Sequence, residues 1–377
     1  MEVHPRLERL REFFWSLREN KKARRWFAVV AFVLLLLIGT VVFLIVHIHG
    51  RRNQAVTNVS ETISLNLSDA NGSQHVGRRF IDGAAVEQGK ENQLPVLMMI
   101  ENFIAVRPQS GLQAANVVYE ALAEGGITRF MAVYANDEAI NDIGPIRSAR
   151  PYFVSWADEY RGVYGHVGGS PEAINNLHND QLLVYDLDQM YHGPYYRREE
   201  SIAAPHNLFT NTTLLAYALR DLQFTDMQGT FAPWKFSSPV PLDQRPQEER
   251  QITLPFSSMS YEVRYVYHRD ENRYLRWNGG VEHTDALTKQ QIQVKNIAVQ
   301  FVTTRLTDET TGRLAMTTIG EGRAVVFHDG TAQEGTWKRS SAEDRTRFYT
   351  NTGEEISFIP GNIWVEVLPD DRSIEYN

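Results

Sequence analysis

A run of 21 residues from Trp26 to Val46, WFAVVAFVLLLLIGTVVFLIV, carries no charged side chain. As a helix rising 1.5 Å per residue it reaches about 32 Å, close to the roughly 30 Å hydrocarbon core of a bilayer. A buried helix of a soluble protein would place polar residues along one face, and this run has none. A cleavable signal peptide would have a shorter apolar region and a small-x-small site, whereas His-Ile-His-Gly-Arg-Arg follows here. Residues 26–48 are therefore expected to form an uncleaved signal anchor, a single transmembrane helix. Eight Lys or Arg precede the run and only Arg51 and Arg52 closely follow it. The positive-inside rule keeps residues 1–25, a basic segment, in the cytoplasm and exports the rest across the cytoplasmic membrane.

Charge divides the same way. Residues 1–52 hold 10 basic and 4 acidic side chains, net +6, leaving 28 basic against 42 acidic, net −14, in the remainder. An acidic exterior argues against nucleic acid as a partner, because phosphate binding needs clustered basic surface. The chain has no cysteine, which excludes disulfides, thiolate zinc sites, a cysteine nucleophile and lipid attachment through an N-terminal cysteine. The exported part must rest on its own cores, and its size favours two of them.

Composition divides the exterior into a polar stalk at 49–92, a mixed α/β domain at 93–236, a Pro-rich charged linker at 237–251, a β-rich domain at 252–370 and a tail at 371–377, which is expected to fray. The alternating YEVRYVYH and the later runs NIAVQFVTT, RAVVFHDG and EISFIPGNIWVEVLP carry the β signal of the second domain. The expected class is α+β.

Polar candidates concentrate in the first domain. In NVVYEALAEGGITRFMAVY, Gly125-Gly126 suggests a two-residue hairpin pairing Glu124 with Ile127, Leu122 with Arg129 and Glu120 with Met131. That register places Arg129 on the face of Glu120 and Glu124, either as ordinary cross-strand ion pairs or as a pair of site carboxylates kept ionised by the arginine. In IGPIRSARPYFVSWADEY, Pro151 suits a first helical turn with Ser148 as N-cap, and it puts Arg147 and Arg150 at the positive helix end, where they call for a carboxylate or a bound anion. In GHVGGSPEAINNLH, Ser170 reads as an N-cap, and Gly168 and Gly169 allow backbone N–H groups to approach a ligand. His166 precedes them, and His206-Asn207 lies in a loop rich in Tyr, Arg and acidic residues. No nucleophile elbow, metalloprotease, P-loop, Rossmann or calcium-loop motif is present, and no metal or cofactor is expected.

The segments RPQSGLQAANVVYEALAEGGITRFMAVY, IGPIRSARPYFV, GHVGGSP and APHNLFT, followed by VEHTD, HDG with GTW, and PGNIW, resemble the YerB-type family of bacterial cell-envelope lipoproteins from about Pro95 to Pro369. The resemblance implies a two-domain protein outside the cytoplasmic membrane with no assigned biochemical function, so no catalytic residue is carried over. Such lipoproteins are tethered by an acylated cysteine; here the helix from Trp26 would take its place.

Two functional readings follow. The first, adopted here, is a ligand- or partner-binding module whose partner is an envelope glycan, an anionic ligand or an envelope protein. Its binding candidates are Arg129, Arg147, Ser148, Arg150, Gly168, Gly169, Ser170 and Asn207. The alternative is a hydrolase or transferase acting on an envelope glycan or phosphate-containing polymer, with Glu120, Glu124, His166 and His206 as catalytic candidates.

Overall fold

The computed structural model describes residues 76–135, 137–179, 182–224 and 228–377. The apolar run at 26–46 and the basic segment before it lie outside the described residues, among which no helix is long and apolar enough to cross a membrane.

Five stretches, VLMMIE, VVYEAL, TRFMAVY, NIAVQFV and IWVEVLP, are buried along their whole length. Strands without an exposed face need cover on both sides, as in the interior of a layered α/β sheet. In chain order the first part supplies β1 (Val96–Glu101), β2 (Val117–Leu122), β3 (Thr128–Tyr134), α1 (Pro151–Asp158), β4 (Val163–His166), α2 (Pro171–Leu177), β5 (Tyr185–Asp188) and α3 (Thr212–Asp221). The second supplies β6 (Gln251–Pro255), β7 (Glu262–His268), β8 (Arg273–Asn278), β9 (Asn296–Val302), β10 (Thr304–Asp308), β11 (Arg313–Met316), β12 (Gly320–His328), β13 (Thr331–Arg339), β14 (Arg347–Thr350) and β15 (Ile363–Pro369).

Ten of these strands form one sheet in the order β14-β13-β12-β9-β15-β2-β3-β1-β4-β5. The join between the two parts lies inside it, where β15 runs parallel to β2 with Glu366 beside Glu120. One face is packed by α1 and α2 through Phe153, Trp156 and Ala173. The other is packed by α3 and by a second sheet built on β6, β7 and β8, whose alternating burial shows one face to the core and one to solvent. The described residues fall in one compact unit, and both cores draw on both parts. The class is α+β as expected, with every α-helix among the described residues in the first part.

Three expectations are corrected. The folded body begins before residue 93: residues 76–78 pair with 85–87, Ile81 enters the core, and buried Asp82 takes Arg79 and the Asn116 side-chain amide. The C-terminal tail is not frayed, because Ile252 and Thr253 of β6 pair with Tyr376 and Glu375.

The third correction is the register of β2 and β3. The turn holds three residues, Glu124 to Gly126, with Ala123 N–H donating to Ile127 O, and both glycines have positive φ. Leu122 therefore pairs with Thr128, Ala121 with Arg129 and Glu120 with Phe130. A one-residue shift exchanges the faces of a strand. Arg129 and Glu120 lie on opposite faces of the sheet, and the predicted carboxylate–arginine–carboxylate strip does not exist.

Candidate functional site

Strands β1, β4 and β5 run parallel and end at Glu101, His166 and Asp188. From β1 the chain proceeds to β2 on one side of the sheet, and from β4 to β5 on the other. That reversal between adjacent parallel strands is a topological switch point, where open α/β sheets form their crevice at the carboxyl ends. Here β1 and β4 pair only through Val96–Met98 and Val163–Gly165. Beyond that the segment Ile146 to Ala149 is inserted between them. Arg147 N–H donates to Met99 O (3.0 Å), Val167 N–H to Arg147 O (3.2 Å) and Ala149 N–H to Gly168 O (2.9 Å). The insertion fixes Arg147 and Arg150 at the switch point.

Three guanidinium groups gather there. Arg129, its side chain only 9% exposed, donates to Ser148 O at 2.8 Å and stands 3.7 Å from Glu124. Burial, with the like charges of Arg150 and Arg147, pulls its pKa down to about 10. Arg150 grips both oxygens of Glu124, with Nη2 to Oε2 at 2.7 Å. Burial pushes the Glu124 carboxyl up, but the hydrogen bonds and charge of Arg150, aided by Arg129, prevail and hold it below its ordinary value. Arg147 approaches Glu101 at 3.2 Å and Pro205 O at 3.4 Å. His206 completes the group: its Nδ1 lies 2.8 Å from Glu101 Oε2 and its ring stacks on Phe103 at 5.4 Å. Three arginines and a histidine thus share two carboxylates.

The walls come from both parts of the chain. Ser257 of the second part donates its hydroxyl to Gly126 O beside the Glu124 turn. The β10–β11 hairpin brings Gly312 against Gly125 and Glu124, and the charge of Arg313 reaches Glu172 at the start of α2.

The remaining candidates have structural partners. Ser170 is the N-cap of α2 as expected, accepting from Ala173 N–H at 3.3 Å. The N-cap of α1 is Arg150, not Ser148, because the backbone turns helical only at Pro151. The Gly168 N–H is not presented to a ligand: the buried carboxylate of Asp188 accepts it at 2.8 Å. Gly169 packs against Ala149 and Ile174. His166 is fully buried, with Nε2 2.8 Å from Asp186 and Nδ1 2.8 Å from Gly168 O, so it ties β4 to β5 and its own following turn. Asn207 accepts from Arg198 at 2.8 Å within a short hairpin. Among the described residues no group of three or more His, Asp or Glu is arranged to hold a metal ion.

Glu120 belongs to a different structure on the opposite face. It is fully buried and ion-paired with Arg276 of β8, and it accepts from Thr128 (2.5 Å) and Asn102 (3.1 Å). Arg276 also donates to the Tyr265 hydroxyl at 3.0 Å, stacks on Trp364 at 4.4 Å and lies 3.7 Å from Glu366, which accepts from Tyr265. Burial, with the charge of Glu120 alongside, pushes the Glu366 carboxyl up to about 8. Burial and Arg276 hold the neighbouring His283 well below its ordinary value. The network joins the two sheets and is sealed from solvent, which removes Glu120 from the catalytic candidates. Sequence reading passed over Glu101, Arg276 and Glu366, although for Glu366 a lone charge inside the otherwise apolar IWVEVLP is the signal of a buried partner.

Comparison with known proteins agrees with this architecture. The N-terminal domain of the protein of unknown function DUF3048 matches residues 82–225, and its C-terminal domain matches residues 252–365. The chain is 29% identical over 296 residues to "Putative lipoprotein YerB" of Bacillus subtilis (strain 168), covering 77% of this chain and 86% of that protein. The crystal structure of YerB protein from Bacillus subtilis superposes with a TM-score of 0.70 at 26% identity, covering 80% of this chain and 99% of that one. With both domains present in order and the YerB fold reproduced, this chain belongs to the DUF3048 family.

Proposed function

We propose that this chain is a membrane-anchored binding module of the bacterial envelope, which uses the switch-point arginines to hold an anionic group of an envelope polymer. The observation that carries this reading is the charge ledger at the carboxyl ends of β1 and β4. Among the described residues, Arg129, Arg147, Arg150 and His206 pair with only two carboxylates, Glu101 and Glu124. Partly buried cations in excess of their carboxylates gain most from a further anion, and a guanidinium is suited to carboxylate or phosphate oxygens. The apolar run at 26–46 and the lipoprotein description of the Bacillus relative support the exported, membrane-tethered setting.

A second reading, a hydrolase or transferase acting on the same polymer, rests on His206. Its side chain is 26% exposed and its Nδ1 is held by the nearly buried carboxylate of Glu101, the orientation a general base requires.

The test uses the full-length protein in detergent micelles, titrated with inorganic polyphosphate, polygalacturonate and a neutral glucan. Binding of one polyanion and not of the glucan is expected. Arg147→Ala should weaken it roughly 10- to 100-fold, the loss of about 1.5–3 kcal/mol for a hydrogen bond to a charged group. Equal binding of the neutral glucan, or unchanged affinity in Arg147→Ala, removes the site. Polymer cleavage abolished by His206→Gln with binding retained would establish the second reading.

A further inference from the structure

The loop from Glu199 to Asn207 has another side. Where His206 and Pro205 O face the arginine site, Glu199 and Ile202 line a separate cavity of about 440 Å³. That volume lies within the range of small-molecule sites, roughly 300–1,000 Å³. Its apolar lining includes Val106, Ile202 and Phe209 from the N-terminal domain and Ala286 from the C-terminal one.

Five charged side chains line it, in two groups. Arg197 is closed off by Asp142 at 2.5 Å and Glu199 at 3.2 Å, and its guanidinium lies 5.3 Å from the centre of the Phe209 ring. Arg107 and Lys289 have no carboxylate within ion-pair distance among the described residues. Arg107 donates only to neutral acceptors: Nε to Asn102 Oδ1 (2.8 Å), Nη1 to Ser260 O (2.9 Å) and Nη2 to Asn102 O (3.2 Å). A guanidinium has five N–H donors, so two remain. Burial also pulls the Arg107 pKa down; the main counter-charge acting on it, Glu120, is already paired with Arg276, and the Tyr261 ring centred 4.9 Å away offers an aromatic face but no anion. A partly buried cation without an anion is costly unless something compensates it.

We infer that this cavity binds a small organic acid, its carboxylate engaged by Arg107 and Lys289 and its compact apolar body packed against Val106, Ile202 and Phe209. The ligand would bridge the two family domains, because Lys289 and Ala286 belong to one and the other walls to the other. Its occupancy would also bear on the loop that positions His206.

The experiment is ligand-observed NMR on the full-length protein with a panel of apolar carboxylate fragments, each paired with its primary amide. Acetate and inorganic phosphate are included as head-group controls. At least one acid should bind saturably while its amide and both controls do not. Lys289→Ala, at an exposed position, should weaken that acid roughly tenfold, about one lost charge-assisted contact. Ala286→Phe, which fills the cavity without touching the arginine site, should abolish it while polyanion binding through Arg147 persists. Acids and amides binding alike, no acid binding, or an unchanged affinity in Ala286→Phe would each overturn the inference.

Discussion

Replacing Glu366 by glutamine should make the protein more stable at neutral and alkaline pH, although it removes a carboxyl group from a buried ion network. Glu366 is fully buried, adjoins Glu120 on the neighbouring strand and shares Arg276 with it. One guanidinium cannot neutralise two carboxylates, and the structure responds by holding Glu366 protonated, its pKa pushed up to about 8 from an ordinary 4.5 by burial and by Glu120. In the unfolded chain the carboxyl loses its proton near the ordinary value. Between the two values the folded state holds one more proton than the unfolded state, so stability fully present below about pH 4.5 is lost progressively as pH rises through about 8. Each pH unit in that window is worth ~1.4 kcal/mol, so the whole window corresponds to ~4–5 kcal/mol. Glutamine keeps the acceptor for the Tyr265 hydroxyl and has no proton to release. Its amide nitrogen would stand where Glu366 Oε2 now lacks a hydrogen-bond partner. The two proteins should therefore be about equally stable near pH 5, with Glu366→Gln ahead by ~3–4 kcal/mol near pH 8. Urea unfolding across that range, followed by tryptophan fluorescence, measures the difference. A variant that follows the wild-type pH dependence, or is less stable at pH 8, would refute the assignment of the proton to Glu366.

Two further predictions probe local structure. Ser170→Ala removes the only side-chain cap of α2 and should cost ~1 kcal/mol in the same unfolding assay; no loss would mean that the cap is not formed in solution. Gly335→Ala should cost about 3 kcal/mol, because a Cβ there would lie 1.8 Å from Tyr349 O across the β13–β14 pair. Gly168→Ala, with φ +55 and nothing within 4 Å, should cost only ~1–2 kcal/mol, so a reversed order would refute the packing argument.

Much of the fold was legible because hydrophobic pattern reports local environment. The sequences of β7, β9, β12 and β15 read as strands, and Pro151 and Ser170-Pro171 marked two helix starts. The candidate site was legible only in its membership. Arg129, Arg147, Arg150, Glu124 and His206 were identified by residue type and neighbourhood, and they do meet at the switch point. Glu101 was missed because it follows five apolar residues and reads as the last residue of a strand, and the role of Asp188 in occupying Gly168 N–H depends on a parallel pairing that leaves no local mark. Glu120 was misplaced for a more specific reason: two glycines suggest a two-residue turn, whereas the chain closes a three-residue one.

Sequence alone determined the apolar run, the family, the division into an α/β and a β-rich part, and the absence of any cysteine-based chemistry. Each of these follows from composition or from the order of nearby residues. Tertiary structure alone decided that both parts share one sheet, that Arg276 reaches Glu120 from 156 positions away, and that Arg129 and Glu120 serve different faces. Strand register is set by turn closure and by packing on both sides of the sheet, and a shift of one residue reverses every side chain that follows.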